Sequence, residues 1–557
     1  MKARKTLLIS AITVAVLLCI LWVLCPICFQ NDDDKVLLYL TAGYTTGSPE
    51  MGTIFGSFYY YAIVCLLYRI TGGLCWYTIM ELAMIAVSLV AICYCTFTAI
   101  KKENYILGIA LFILMFLTIF AYFSAALQYT ATAALVGGAA ACLILMDRED
   151  KGSYVAACIL LALSYGIRKQ FGMVSLSAIA IILLVQWLFE PGSLLKRPTF
   201  KRGLIMVAVF AVCFLSNRLY ENATGITEFN DYYAEAGYWI DYPHLTYEED
   251  TAGVYEAAGW DETLYNAASN WFFMDENLTL DNFTAIHEGY DAVSPSIKDR
   301  LKAAYNLVST CPTANTQIAV WIVLLILMNV LMLMKRPTGF IKRLITLDLL
   351  FLMFAAVSVY FLLQARFPLR VYQALLYIYF VPSIVIILQY FSDNCEDRGI
   401  IIAGALMAVA LAATAVLKPA ACMPREIYAI CQDDNRAYDI AQSQALEQYA
   451  IAHPDNIYIY DLSLSLPAAA FTVYEDAVPH NCLFWGGWVY NTPMYWKQVA
   501  SNGKDTLYTQ DFLSGNVYFC GTEVSEELIQ YMLARQPGVK CDIIDEFEGI
   551  TVYQFYQ

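Results

Sequence analysis

Apolar residues in this chain gather into long uninterrupted runs instead of alternating or recurring on one helix face. A helix rises about 1.5 Å per residue, so about 20 such residues span the ~30 Å hydrocarbon layer of a bilayer. The first run, Leu7–Cys28, follows Lys2, Arg4 and Lys5 and resembles a secretory leader, but its length and the lack of a small-residue cleavage pattern before the acids at 32–34 predict a retained anchor. Ten further runs, at 75–99, 105–122, 127–146, 153–167, 171–189, 203–219, 316–334, 344–363, 371–390 and 399–418, bring the expected spans to eleven.

The segment Ile54–Arg69 is the ambiguous one, and loop charge decides it. Without a crossing there, one side of the membrane receives Lys2, Arg4, Lys5, Lys101, Lys102, Arg148, Lys151, Lys196, Arg197, Lys201, Arg202, Lys335, Arg336, Lys342, Arg343 and Arg398, which is 16 of the 33 basic residues. With a crossing, every cluster after the first flips outward. Residues 54–69 are therefore expected to lie in the outer interface. The amino terminus is then cytoplasmic, and about 40 of the 49 acids fall outside, mostly in 220–315 and 419–557.

The expected organisation is a seven-helix module over 1–219 with a first outer loop at 29–74, a large extracytoplasmic loop at 220–315, four spans over 316–418 and an extracytoplasmic α/β domain over 419–557. Helical periodicity at Asp433–Ala452 and Ser525–Arg535, with alternation at Asn456–Asp461, Asn516–Gly521, Cys541–Asp545 and Gly549–Phe555, supplies that last domain. No Walker A, G-x-G-x-x-G or G-x-S-x-G pattern opens its helices, so nucleotide and hydrolase roles have no support there.

Composition agrees: 59% of residues are hydrophobic and 15% charged, a balance suited to a multi-pass protein of the cell membrane. The net charge of −16 offers no footing for nucleic acid. Most of the 17 cysteines, among them Cys19, Cys25, Cys93, Cys95, Cys142 and Cys213, sit in or beside apolar runs and read as small hydrophobes. Cys25 and Cys28 form a C-x-x-C without a second pair, which is poor metal or redox evidence, while pairing of Cys422 with Cys431 stays open. The N-x-T sequons at Asn222, Asn277 and Asn282 would matter only in a eukaryotic lumen.

Candidate chemistry starts just after the first span, where Asp32, Asp33 and Asp34 follow Asn31. Three adjacent carboxylates disfavour full ionisation unless a cation, metal or substrate hydroxyl relieves them. They suit a solvated helix cap or a general base just above the bilayer. Two expected outer helix ends carry cations, Arg168-Lys169 and Arg366 with Arg370. An arginine fork matches phosphate oxygens, although such residues also snorkel to lipid headgroups. Glu81 sits one turn into its span, where a carboxylate costs about 2.5–3.5 kcal/mol at mid-membrane and so normally faces a cavity or a partner such as Arg69.

Asn31-Asp32-Asp33-Asp34, the turn Ala42-Gly43-Tyr44-Thr45-Thr46-Gly47-Ser48-Pro49, Cys75-Trp76-Tyr77 and Ala365-Arg366-Phe367-Pro368-Leu369-Arg370, with this span order, resemble the GT-C membrane glycosyltransferases. That group includes the protein mannosyltransferases and the bacterial aminoarabinose transferase of lipid A. The architecture is similar over nearly the whole chain, the sharp motifs over about 40 residues. The resemblance implies transfer of a sugar from a polyprenyl-phosphate donor to a glycan, lipid or protein acceptor of the cell envelope. It implies Asp32 or Asp33 as base, with Asp34 the less favoured neighbour, and Arg366 and Arg370, with Arg168 and Lys169, as holders of the donor phosphate. Glu81, Gln128 and Gln364 are candidate cavity-lining residues. Some relatives hold a divalent cation through the acids and others do not, so the metal is unassigned and no other cofactor is implied. The sequence departs from better-studied members in the second outer loop, where Gln128 and Tyr129 stand in place of an acid.

Two other readings compete. A polysaccharide polymerase or ligase also combines many spans with a large outer loop, but calls for basic residues there, and 220–315 holds 17 acids against Lys298, Arg300 and Lys302. A transporter or flippase of lipid-linked sugars calls for charged mid-membrane residues, broken helices and an internal repeat, of which the spans show little.

Overall fold

The computed structural model describes all residues except 1, 52–53, 101–104, 147–149, 242–243, 245, 294–296, 311, 336–338, 365, 395–433 and 465–468. The run at 399–418, Arg398 and the Cys422 and Cys431 pair lie outside the described residues, as do Lys101, Lys102, Arg148 and Arg336. Among the described residues six helices are long and apolar enough to cross a membrane, namely Ala3–Leu24, Trp76–Ala99, Lys169–Leu188, Pro198–Thr224, Phe340–Leu363 and Leu369–Asp393. Five shorter apolar helices accompany them, Phe58–Ile70, Tyr105–Phe120, Tyr129–Ile144, Lys151–Ile167 and Ile318–Met334.

In chain order the first nine helices are α1 (Lys2–Leu24), α2 (Asp33–Ala42), α3 (Phe58–Ile70), α4 (Trp76–Ala99), α5 (Tyr105–Met115), α6 (Tyr129–Ile144), α7 (Lys151–Ile167), α8 (Lys169–Leu188) and α9 (Pro198–Thr224). Helix α6 is buried along its whole length and is built largely from Ala, Gly and Thr. In a bilayer, close backbone approach is a main source of helix association, and small residues permit it. A Cβ added at Gly138 would lie 2.2 Å from the Tyr377 carbonyl oxygen. The neighbouring helix Leu369–Asp393 is likewise almost wholly buried.

Two π-helical turns, Phe116–Phe120 and Leu376–Phe380, face each other. The widened turn at Phe116–Phe120 frees the Ile119 carbonyl, which accepts from Gln373 Nε2 at 2.8 Å and from the Tyr377 hydroxyl at 3.1 Å. A polar group released inside the bundle is thus satisfied by side chains of the next helix.

One end of the bundle gathers the functional candidates. There the strand β1 (Cys28–Phe29), just past α1, pairs in parallel with β2 (Ala126–Leu127), just before α6. Both ends of α3 are held at this same end. Its start follows Ser57, whose N–H donates to the Gly166 carbonyl at 2.8 Å, and near its finish the Tyr68 hydroxyl accepts from the Tyr77 N–H at 3.2 Å. Thirteen residues make a helix of about 20 Å, short of the hydrocarbon thickness.

Over this end lie the large loop and the carboxy-terminal region. The latter carries a five-stranded sheet in the order β4-β3-β5-β7-β6, from β3 (Ile457–Tyr460), β4 (Cys482–Phe484), β5 (Val517–Gly521), β6 (Lys540–Phe547) and β7 (Ile550–Tyr556). Strands β4, β3 and β5 are parallel, and β7 and β6 close the sheet as an antiparallel hairpin. Periodicity anticipates four of these strands; β4 is missed because three residues are too few to show alternation. The loop and the sheet interlock: the Phe273 N–H donates to the Trp485 carbonyl at 3.0 Å, and Arg535 bridges Asp261 and Asp275 at 2.9 and 3.3 Å.

Candidate functional site

A cavity of about 590 Å³ opens between the end of the bundle and the two overlying regions. Asp32, Asp33, Arg168, Arg366 and Arg370 all line it, so both halves of the chemistry proposed from sequence share one chamber.

The β1–β2 pairing fixes where the acids go. The Gln30 N–H donates to the Leu127 carbonyl at 2.8 Å, so the chain enters α2 alongside the start of α6. Successive helix residues point about 100° apart, and the three acids separate accordingly. Asp32 precedes α2 and faces the cavity, its carbonyl accepting from the Val36 N–H at 3.1 Å. Asp33 accepts from the Trp488 indole N–H at 2.9 Å on one oxygen and from the Asn31 amide at 2.7 Å on the other. Arg370 Nη2 stands 4.0 Å from that second oxygen. Asp34 points the opposite way and is fully buried, accepting from the Tyr77 hydroxyl at 2.7 Å and the Tyr129 N–H at 3.1 Å through a single oxygen. Its other oxygen has no hydrogen-bond partner.

Burial, reinforced by the neighbouring Glu81 carboxyl, holds the Asp34 acid well above the usual carboxylate range, against the opposing pull of the Tyr77 hydrogen bond. Because the folded state binds this proton more tightly than the unfolded chain does, the contribution to stability is complete at low pH. It is lost as pH climbs from the ordinary carboxylate range through the raised value. Asp34→Asn keeps one acceptor oxygen and removes the titration. The variant is expected to melt a few degrees above wild type at pH 8, with the gap closing toward pH 5, as read by thermal unfolding in detergent. A wild-type advantage that widens with rising pH would mean that Asp34 is ionised.

Glu81 does not line the cavity. It lies buried on α4 behind Asp34, both oxygens without a hydrogen-bond partner, with the Thr132 hydroxyl beside it. Gln128 is also fully buried, and its side-chain oxygen caps α6 by accepting from the Thr130 and Ala131 N–H groups at 2.7 and 3.1 Å. Gln364 ends the helix Phe340–Leu363 and falls outside the lining.

Arg168 occupies an extended break between α7 and α8. Gly56 and Gly166 let the segment 55–57 lie directly on that break, since a Cβ on Gly56 would come within 2.9 Å of the Gly166 carbonyl oxygen. This contact stacks the Arg168 guanidinium against Tyr129 and Phe55, at 4.8 and 5.2 Å from their ring centroids. One guanidinium nitrogen donates to Thr130, and Nε is buried without a partner. Lys169, the next residue, turns away from the cavity into a buried ion pair with Glu221, which also accepts from Asn217 at 2.9 Å.

Several lining residues were not candidates from sequence. Lys35 forms an ion pair with Glu447 at 2.9 Å and also donates to Ser443. Tyr39 donates to both oxygens of Glu447 at 3.0 and 2.9 Å, and Tyr474 donates to it as well. Lys35, Tyr39 and Tyr474, with Ser443 of its own helix at 3.5 Å, thus hold one carboxylate, and the first two fasten α2 to the helix Asp434–Ala452. Trp271 from the large loop and Trp488 after β4 complete an aromatic wall. The only sequence signal for that wall is the quartet Trp485-Gly486-Gly487-Trp488.

The partners of Asp33 are an indole N–H, an amide and a guanidinium, all positive or donating. Among the described residues no three His, Cys, Asp or Glu side chains converge. This donor set suits a carboxylate beside an anion and not a divalent cation. No protein-family profile matches the chain, and no curated protein matches it. Among solved structures, the crystal structure of ArnT from Cupriavidus metallidurans bound to undecaprenyl phosphate is similar over 97% of this chain and 97% of that one, with 11% sequence identity and a TM-score of 0.40.

Proposed function

We propose that this chain is a multi-pass membrane glycosyltransferase that moves a sugar from a polyprenyl-phosphate donor to a hydroxyl of a cell-envelope acceptor at the extracytoplasmic face. The observation that carries the reading is the approach of Arg370 to Asp33 at 4.0 Å inside a cavity at the bundle end. A phosphate needs a cation where its charge develops, and an acceptor hydroxyl needs a base within reach. Orientation follows from the basic short loops, which put the amino terminus in the cytoplasm and the sheet outside.

In the step envisaged, the acceptor oxygen forms a bond to the anomeric carbon while the bond from that carbon to the phosphate oxygen breaks. The electron pair leaves with the phosphate, and the hydroxyl proton passes to Asp33. A lipid phosphate departs as a stable anion, so no acid is required at the leaving group. Arg370, Arg366 and Arg168 offer planar forks for its charge. Asn31 and Trp488 aim the Asp33 carboxylate, leaving the reactants to be brought into line by the cavity walls.

The reading is tested by mass spectrometry of lipid extracts from cells that carry or lack this protein. A polyprenyl-phosphate sugar is expected to accumulate without it and to fall to the normal level on complementation. Identical lipid-linked sugar pools in both strains would overturn the assignment.

A further inference from the structure

Trp271 is one of three non-glycine residues with positive φ among the described residues, at φ 66°. For a bulky side chain that conformation is costly, and such residues persist only where surrounding structure imposes them. Here the imposing contact is the turn after β4. A Cβ on Gly486 would lie 1.8 Å from the Trp271 carbonyl oxygen, so any other residue at 486 would expel the Trp271 backbone. Gly487, itself at φ +72°, leaves its missing Cβ 3.8 Å from the Trp271 indole. The next residue is Trp488, whose ring N–H holds Asp33. Two indoles thus flank one glycine pair on the cavity wall, one of them joined directly to the proposed base.

Aromatic side chains that line a cavity beside the Asp33 carboxylate suit a ring that is apolar on its C–H face and polar at its rim. A pyranose has that character. We infer that Trp271 and Trp488, set by the Gly486-Gly487 turn, form the acceptor subsite, and that the acceptor is a saccharide whose ring stacks on Trp271 while its hydroxyl reaches Asp33. This deepens the proposed transfer reaction, because it names the acceptor class, and it rests on that reading only for the direction of transfer.

The test uses the full chain in lipid nanodiscs with two probes, a printed glycan array and undecaprenyl phosphate. Wild type is expected to bind a defined set of glycans on the array. Trp271→Ala and Gly486→Ala each lower that signal at least tenfold, Trp271→Phe keeps at least half of it, and all three bind undecaprenyl phosphate within twofold of wild type, which also shows that they fold. Arg370→Ala gives the converse pattern, with array binding kept and lipid-phosphate binding lost. Glycan binding without lipid-phosphate binding in wild type would leave the subsite standing and remove the donor reading. No glycan bound by wild type, or array binding unchanged in both Trp271→Ala and Gly486→Ala, overturns the subsite.

Discussion

Asp33→Asn is expected to slow sugar transfer by about 10³-fold at saturating donor, within the 10²–10⁴ that a positioned general base contributes. The geometry makes the substitution clean. Asparagine retains an oxygen to accept from the Trp488 indole, and the Asn31 amide can turn to present its own oxygen to the new NH₂ group, so both contacts of the carboxylate are reproducible. What is lost is the ability to take a proton, together with the negative charge that faces Arg370 at 4.0 Å. Donor affinity should change little, which separates a chemical role from a binding one. Asp32→Asn is expected to cost less than tenfold, since the Trp488 indole and the Asn31 amide aim the carboxylate of Asp33. Single-turnover transfer in nanodiscs decides the matter. A large loss in Asp32→Asn with full activity in Asp33→Asn would move the base by one residue, and full activity in both would take it out of this loop.

The resemblance sets Asp34 behind Asp32 and Asp33, and their order alone says nothing of the different surroundings that the structure gives Asp33 and Asp34. In sequence they are three equal carboxylates; at the start of α2 they diverge around a helix, and only tertiary neighbours give each a role. The same holds for Arg168 and Lys169. They are adjacent, yet the cation of Lys169 is cancelled by Glu221, 52 residues away at the end of α9, a partner that no local pattern reveals. Long apolar runs were legible because a bilayer demands about 20 residues of one character, which is a signal in one dimension. Convergence of Asp33 with Arg370 was legible only through the resemblance, which implies that a base and a phosphate-binding cation share one site. Trp488 stands 455 residues from Asp33 and Glu447 stands 408 from Tyr39, so the wall and clamp of the cavity exist only once the overlying regions are docked.

Arg370→Ala carries the second large effect, an expected fall of about 10²–10³ in kcat/KM for the donor, comparable to removing one preorganised donor from an anion-stabilising site. At 4.0 Å its guanidinium attracts the Asp33 carboxylate without forming a hydrogen bond to it, so N–H donors remain to meet phosphate oxygens. Arg370→Lys separates charge from shape. Lysine keeps the cation but not the planar fork, and recovery to within about tenfold of wild type would assign the effect to charge, whereas a loss equal to that of alanine would assign it to two-point phosphate contact. The adjacent stack of Arg168 on Tyr129 and Phe55 supplies an internal control. That guanidinium is already held by two ring faces and Thr130, so Arg168→Lys should perturb folding as well as binding, while Arg370→Lys, at a more open position, should leave the melting temperature unchanged. Donor kcat/KM in Arg370→Ala equal to wild type would reduce Arg370 to a counter-ion of Asp33. The phosphate would then have to be held by Arg366 and Arg168 alone.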